Sequence, residues 1–177
     1  MSESALLRAT RDHLIARCGL KENQCLVEPV ADYYPPTSGL QYHVFVVPGS
    51  INPGEANRTS GGVLDQVYGL DVAVAWKIGN VPRDRVQEVF LYRNDGMEAV
   101  IRRIVAAIHF DYDLMNKAND LITDSPQGFI HPLVYEGMGT VSVVDSAIFD
   151  GRGENVGLMR KVTFGGARRI QYQEAQT

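Results

Sequence analysis

The residues best suited to chemistry cluster once, at His109-Phe110-Asp111-Tyr112-Asp113. An imidazole followed at short spacing by two carboxylates is a donor set for a divalent cation, and a cation held that way activates water in hydrolases and nucleases. The same aspartates also suit the end of one helix and the N-cap of the next, where a carboxylate accepts backbone N–H groups that have no partner inside the helix. The spacing leaves both uses open, and capping is the more ordinary one. His13, His43 and His131 fall in three other elements and read as packing or surface residues. No GxSxG stretch occurs, and neither Cys18 nor Cys25 has a histidine at informative spacing. Gly137-x-Gly139 and Gly151-x-Gly153 lack both the Walker lysine and the strand-to-helix setting of a dinucleotide loop, so they read as bulge and turn. The expectation is a protein that is not an enzyme and has neither a metal nor a cofactor.

A second group is basic. From Arg152 to Arg169 the chain carries Arg152, Arg160, Lys161, Arg168 and Arg169 against a single acid, Glu154. Along the alternating segment from Val156 to Phe164, Arg160 falls on the face of Leu158, Val162 and Phe164, so a cation interrupts an apolar strand face. It is either an edge arginine whose stem lies on apolar surface while its head reaches water, or a pairing residue at a subunit interface, where arginine is enriched. Arg160, Lys161 and Arg152, with Asn57 and Arg58 from a polar loop, are therefore the candidate interface residues. Nucleic-acid binding is disfavoured, because the one aromatic within the basic cluster, Phe164, belongs to the apolar strand face, so no aromatics interleave the bases, and the chain is acidic overall.

The elements that would position these groups follow from periodicity. The first is a helix capped by Ser2 or Ser4, with Leu7, Leu14, Ile15 and Cys18 on one stripe and Gly19 ending it. A strand from Cys25 to Val30 and a Pro-rich stretch lead to a strand from Tyr42 to Val47 that is apolar on both faces. Residues 50–62 are rich in Asn, Gly and Ser and long for a connection, which makes them a contact element. From Tyr68 to Ile78, six large apolar residues alternate strictly with smaller or polar ones, predicting a central strand with something packed closely on its small-residue face. A helix is expected around Val86 to Phe90, and a core-facing helix from Met97 to His109, where Val100, Ile101, Ile104, Val105 and Ile108 make the stripe. A short helix follows Asp113. Strands from Leu133 to Val144, with a bulge at Gly137 and Gly139, and from Val156 to Phe164 close the chain as an antiparallel hairpin. Runs of strands rather than strict alternation with helices predict one α+β domain over residues 1–177: a mainly antiparallel twisted sheet with helices packed on one face.

Composition sets the outer bounds. The 177 residues are 45% hydrophobic and 21% charged, with 17 basic and 21 acidic residues giving a net charge of −4. A chain of this size buries about 70% of its extended surface, so one core suffices without staples. The two cysteines read as free thiols. No apolar run long enough to span a membrane and no signal-peptide h-region is present.

The order of elements resembles that of the bacteriophage tail terminator family, also called tail completion or head-tail joining proteins. The resemblance rests on the opening helix with Leu14-Ile15-Ala16-Arg17-Cys18-Gly19-Leu20, on Val44-Phe45-Val46-Val47-Pro48-Gly49, and on Gly69-Leu70-Asp71-Val72-Ala73-Val74-Ala75. It continues through the helix from Met97 to Ile108 and the segment Gly128-Phe129-Ile130-His131-Pro132-Leu133 before two final strands. It implies a structural virion-assembly protein: a homo-oligomer, most simply a hexameric ring, that caps the tail tube, stops its growth and joins it to the head connector or neck protein. DNA would only pass through the ring. The implied place is the tail or neck of the virion, assembled in the host cytoplasm. Another neck or tail component, such as a head-completion, tail-tube or minor capsid subunit, is the nearest alternative, and a metal-dependent hydrolase or nuclease using His109, Asp111 and Asp113 is the more distant one.

Overall fold

The computed structural model describes residues 2–28, 40–49, 63–77, 96–121, 128–130, 132–144 and 157–171. In chain order these form helix α1 (Ser2–Cys18), strands β1 (Cys25–Val27), β2 (Tyr42–Pro48) and β3 (Val63–Lys77), helices α2 (Met97–Ile108) and α3 (Tyr112–Asp120), and strands β4 (Gly128–Ile130), β5 (Val134–Met138), β6 (Ser142–Val144) and β7 (Gly157–Gln171). The chain is α+β with one seven-stranded sheet. β3 and β7 are its spine, paired antiparallel from Val63 opposite Gln171 to Lys77 opposite Gly157. β2 lies antiparallel on the other side of β3, and β1 adds parallel to β2. The outer side of β7 is lined in turn by β6, β5 and β4, all antiparallel.

The alternation that predicts the central strand maps directly onto two faces. Tyr42, Trp76 and Leu158 share one row across three strands, Val46, Val72 and Val162 another, and Leu70 and Phe164 a third. These side chains form one core with the buried stripe Met97, Val100, Ile101, Ile104 and Ile108 of α2, with Leu6, Leu7, Ala9 and Leu14 of α1, and with Leu114, Met115 and Ala118 of α3. The Tyr42 and Trp76 rings stack with centroids 4.8 Å apart. On the opposite face Phe45, Val47, Ala73 and Ala75 form a separate buried cluster with Leu26 and Met159 against it, so the small residues of β3 leave room for the Phe45 ring on β2.

Several boundaries differ from expectation. β3 begins at Val63 rather than Tyr68, and β7 continues to Gln171 rather than stopping at Phe164, because each supplies the other's ladder partners beyond the alternating stretch. The Leu133-to-Val144 strand is two strands: the register shifts between Tyr135 and Gly137, and the Gly139 N–H still bonds Lys161 O at 2.8 Å before pairing resumes at Ser142. β4 was not expected, and α3 starts at Tyr112. The expected loop at 50–62, the helix at 86–90 and the turn at 150–153 lie outside the described residues.

Two glycines are required by geometry. Gly19 ends α1 at φ 66°, the left-handed region that only glycine adopts freely. Gly49 lies so close to the Gly69 backbone, to which its N–H bonds at 2.8 Å, that an added Cβ would overlap main-chain atoms.

Two histidines are packed inside. His13 of α1 is fully buried, with Nε2 3.0 Å from Ala107 O, and desolvation by burial lowers its pKa, only partly opposed by the nearby Asp111 charge and the Ala107 carbonyl. Burial lowers that of His43 as well. Unfolded imidazoles take up protons near pH ~6.5 while the folded ones lag, so stability is full above that pH and is lost as pH falls from it toward the folded values. The urea midpoint is therefore expected to be lower at about pH 5.5 than at about pH 7.5. His13→Gln, whose amide can still donate to Ala107 O, should shrink that difference.

Candidate interaction surface

The His109, Asp111 and Asp113 cluster does not close around a common point. The Asp111 carboxylate caps α3, accepting from Leu114 N at 2.7 Å, and its Oδ1 lies 3.6 Å from His13 Nε2. Asp113 turns to Arg17 of α1, with Oδ2 2.8 Å from Nη2. His109 Nδ1 accepts the Tyr135 backbone N–H at 3.0 Å. Among the described residues no group of three or more His, Cys, Asp or Glu side chains could hold a metal ion. The aspartates thus join α1, α2 and α3 at their shared corner, the capping use that the sequence left open. The thiols offer no nucleophile there: burial pushes Cys25 up to about 12 and raises Cys18.

Of the basic candidates, Arg160 and Lys161 are described and both are engaged within the chain. Arg160 occupies the Val44–Val74 row of the helix-facing side of the sheet, where Glu98 from the first turn of α2 meets it in an ion pair, with both side chains partly buried. Its Nε donates to Gly139 O at 3.1 Å. One guanidinium thus links β7, the start of α2 and the break between β5 and β6, and Glu98 lies beside the N-terminal end of a helix whose N-cap, Gly96, offers no side-chain acceptor. On the other face Lys161 Nζ sits 2.8 Å from Asp71 Oδ2, and Thr163 donates to Asp71 Oδ1 at 2.8 Å, so the buried Asp71 is satisfied twice. Arg152, Asn57 and Arg58 lie outside the described residues.

The surface that sequence reasoning did not single out is the outer border of the sheet along β5 and β6. Val134, Met138, Val141 and Val143 are exposed there, Val143 at 71%, and Phe110 beside them at 53%. Phe110 is held against Leu133 by its N–H bond to Leu133 O at 2.9 Å, with a left-handed φ of 55°. Between this border and α2 runs a groove of about 340 Å³ lined by Ile101, Arg102, Val105, Ala106, His109, Tyr135 and Met138. The sequence offered only a strand with a bulge at Gly137 and Gly139, which does not reveal that the strand is an outer one or that the bulge turns Val134 and Met138 to opposite faces. Both borders of the sheet carry a side-chain closure: His109 takes the Tyr135 N–H, and Arg11 Nε of α1 donates to Cys25 O of β1 at 3.0 Å. Such closures keep strand edges from pairing indiscriminately.

Compared with known proteins, the chain matches no family model and no curated protein. No helix among the described residues is long and apolar enough to cross a membrane.

Asp111→Ala should cost about 1 kcal/mol through loss of the α3 cap, with Asp111→Asn milder, and manganese should leave the thermal midpoint of the native chain unchanged. Arg160→Ala, which strands Glu98 and frees Gly139 O, should lower stability by about 1–3 kcal/mol in a urea titration. Arg160→Lys should recover only part of it, since an ammonium lacks the planar fork that reaches both acceptors.

Proposed function

We propose that the chain is a structural virion-assembly subunit of the tail-terminator kind, which closes into a homo-oligomeric ring, caps the phage tail tube and joins it to the head connector. The observation that carries this reading is the set of exposed apolar side chains along the outer border of the sheet: Met138 and Val143 on its helix-facing side, Val134 on the other, and Val141 between β5 and β6. Large exposed apolar side chains gathered along one border favour association there, and His109 already occupies the Tyr135 N–H of that border, so a neighbour would meet side chains at that position rather than add a strand. The remaining support is the order of elements and the charge. Sheet and helices share one core, a body suited to repetition around an axis, and surface contacts related by rotation close into rings. A net charge of −4 suits a channel through which DNA slides, because a strongly basic lining would retain phosphates. The protein acts by shape, with the tube and neck proteins as partners, in the tail or neck of the virion, and without a cofactor.

Light scattering of the purified chain tests this reading. The native protein should run as a closed oligomer, most simply a hexamer, and Val143→Asp, which puts a charge on a site already open to water, should leave a folded monomer with an unchanged thermal midpoint. A native chain that stays monomeric even with tube protein added, or a Val143→Asp variant that assembles as the native chain does, would overturn it.

A further inference from the structure

The groove between α2 and β5 has a composition that the ring reading does not use. Its walls are Ile101, Val105 and Ala106 on one side and Tyr135 and Met138 on the other, and its polar side chains besides the Tyr135 hydroxyl are Arg102 and His109. Among the described residues no acid lines it. Arg102 is exposed and, among the described residues, bonds through its Nε alone, to Glu98 O at 3.4 Å. The carboxylate one turn before it, Glu98, is already taken by Arg160, and Arg102 makes no ion pair among the described residues. The rest of its guanidinium is a bidentate donor held beside apolar walls.

His109 contributes a second donor for a reason that can be read from its bonding. Its Nδ1 accepts the Tyr135 N–H, so in the neutral ring the proton resides on Nε2, which can only donate. The same bond uses up the Tyr135 N–H on the border of β5, which rules out an added strand bonding at that position. The Tyr135 ring is seated in turn against Phe164, edge to face at 6.1 Å, so this wall of the groove is anchored in the core.

We propose that this groove docks a segment of a partner protein that presents a carboxylate side chain flanked by aliphatic residues. The carboxylate meets Arg102 and the His109 Nε2–H, and the aliphatic neighbours lie against Val105, Ala106 and Met138. Charge complementarity selects the occupant: a groove with two donors and no acid favours an anion, and its apolar walls favour a chain segment over a hydrated small ion. A volume of 340 Å³ lies at the small end of ligand-sized clefts, about 300–1,000 Å³, and suits a short stretch of side chains. Arginine at the rim of such a groove is a residue type on which binding energy concentrates.

The test is a nitrogen-15 NMR titration of the full chain with the blocked peptide Ac-Leu-Val-Glu-Leu-Val-NH2 and its Gln counterpart. The Glu peptide should shift amides at 101–109 and 135–138, and the Gln peptide should bind about tenfold more weakly. Arg102→Gln should erase that preference, and Ala106→Glu should abolish binding by placing an acid in the groove, each a change at an exposed position with the thermal midpoint retained. Equal affinity for the two peptides, shifts confined to another surface, or no binding at millimolar peptide would each overturn the proposal. Ring assembly is read separately by light scattering, so the two ideas fail independently.

Discussion

The ladder between β3 and β7 is the constraint on which the rest of the chain depends. Both strands are 15 residues long and paired from end to end, so each interior residue of one has a fixed partner on the other and a fixed face. That register sets the rows across the sheet, and the rows give the helices a continuous apolar surface at Leu70, Val72, Val74, Trp76, Leu158, Val162 and Phe164. It also leaves the outer side of β7 to three short strands rather than one long one. The register shift between Tyr135 and Gly137 and the interruption after Met138 divide that side of β7 between separate short strands.

A single cation stabilises the point where these layers meet. Had the Val44–Val74 row carried an apolar residue on β7, α2 would be positioned by packing alone. With Arg160 there, the start of α2 is set by an ion pair to Glu98, and the β5–β6 break by a bond to Gly139 O. Partly buried arrangements of this kind add directionality more than net energy, because desolvation offsets much of the attraction. Taking Glu98 out of circulation also leaves Arg102 without an acid in the neighbouring groove. The corner of α1, α2 and α3 works in a similar way: Asp111 caps α3 beside the buried His13, and Asp113 holds Arg17. Residue types that could serve catalysis are there used for joining helices.

How much of this was legible in the sequence varies with the physics of each element. The Tyr68-to-Ile78 alternation and the α2 stripe were readable because large apolar residues gather on one face of each while the other is small or polar, although on β3 that second face, with Ala73 and Ala75, is buried as well. The extension of β3 back to Val63 was not, since Val63-Leu64-Asp65-Gln66-Val67 lacks alternation and depends on partners about a hundred positions away. α1 is more deeply buried than its stripe suggested, because Ala5, Ala9, Thr10 and His13 are all buried in addition to the leucines, and small or polar residues carry no apolar signal. The parallel pairing of β1 leaves no local trace. Arg160 stood out as a cation on an apolar face, but its partner is 62 positions away and could be found only in three dimensions. The groove was invisible for the same reason: its walls come from the outer turns of α2 and from β5, which are unremarkable separately.

In this account the outward-facing border of β5 and β6 is what the sheet presents to other subunits, and the ladder and the Arg160 junction exist to hold that border in shape. Negative-stain electron microscopy of the purified native chain tests the claim most directly. Closed rings of uniform size with a central opening are the predicted result. Fields of single compact particles, unchanged at high protein concentration and in the presence of tube protein, would contradict it.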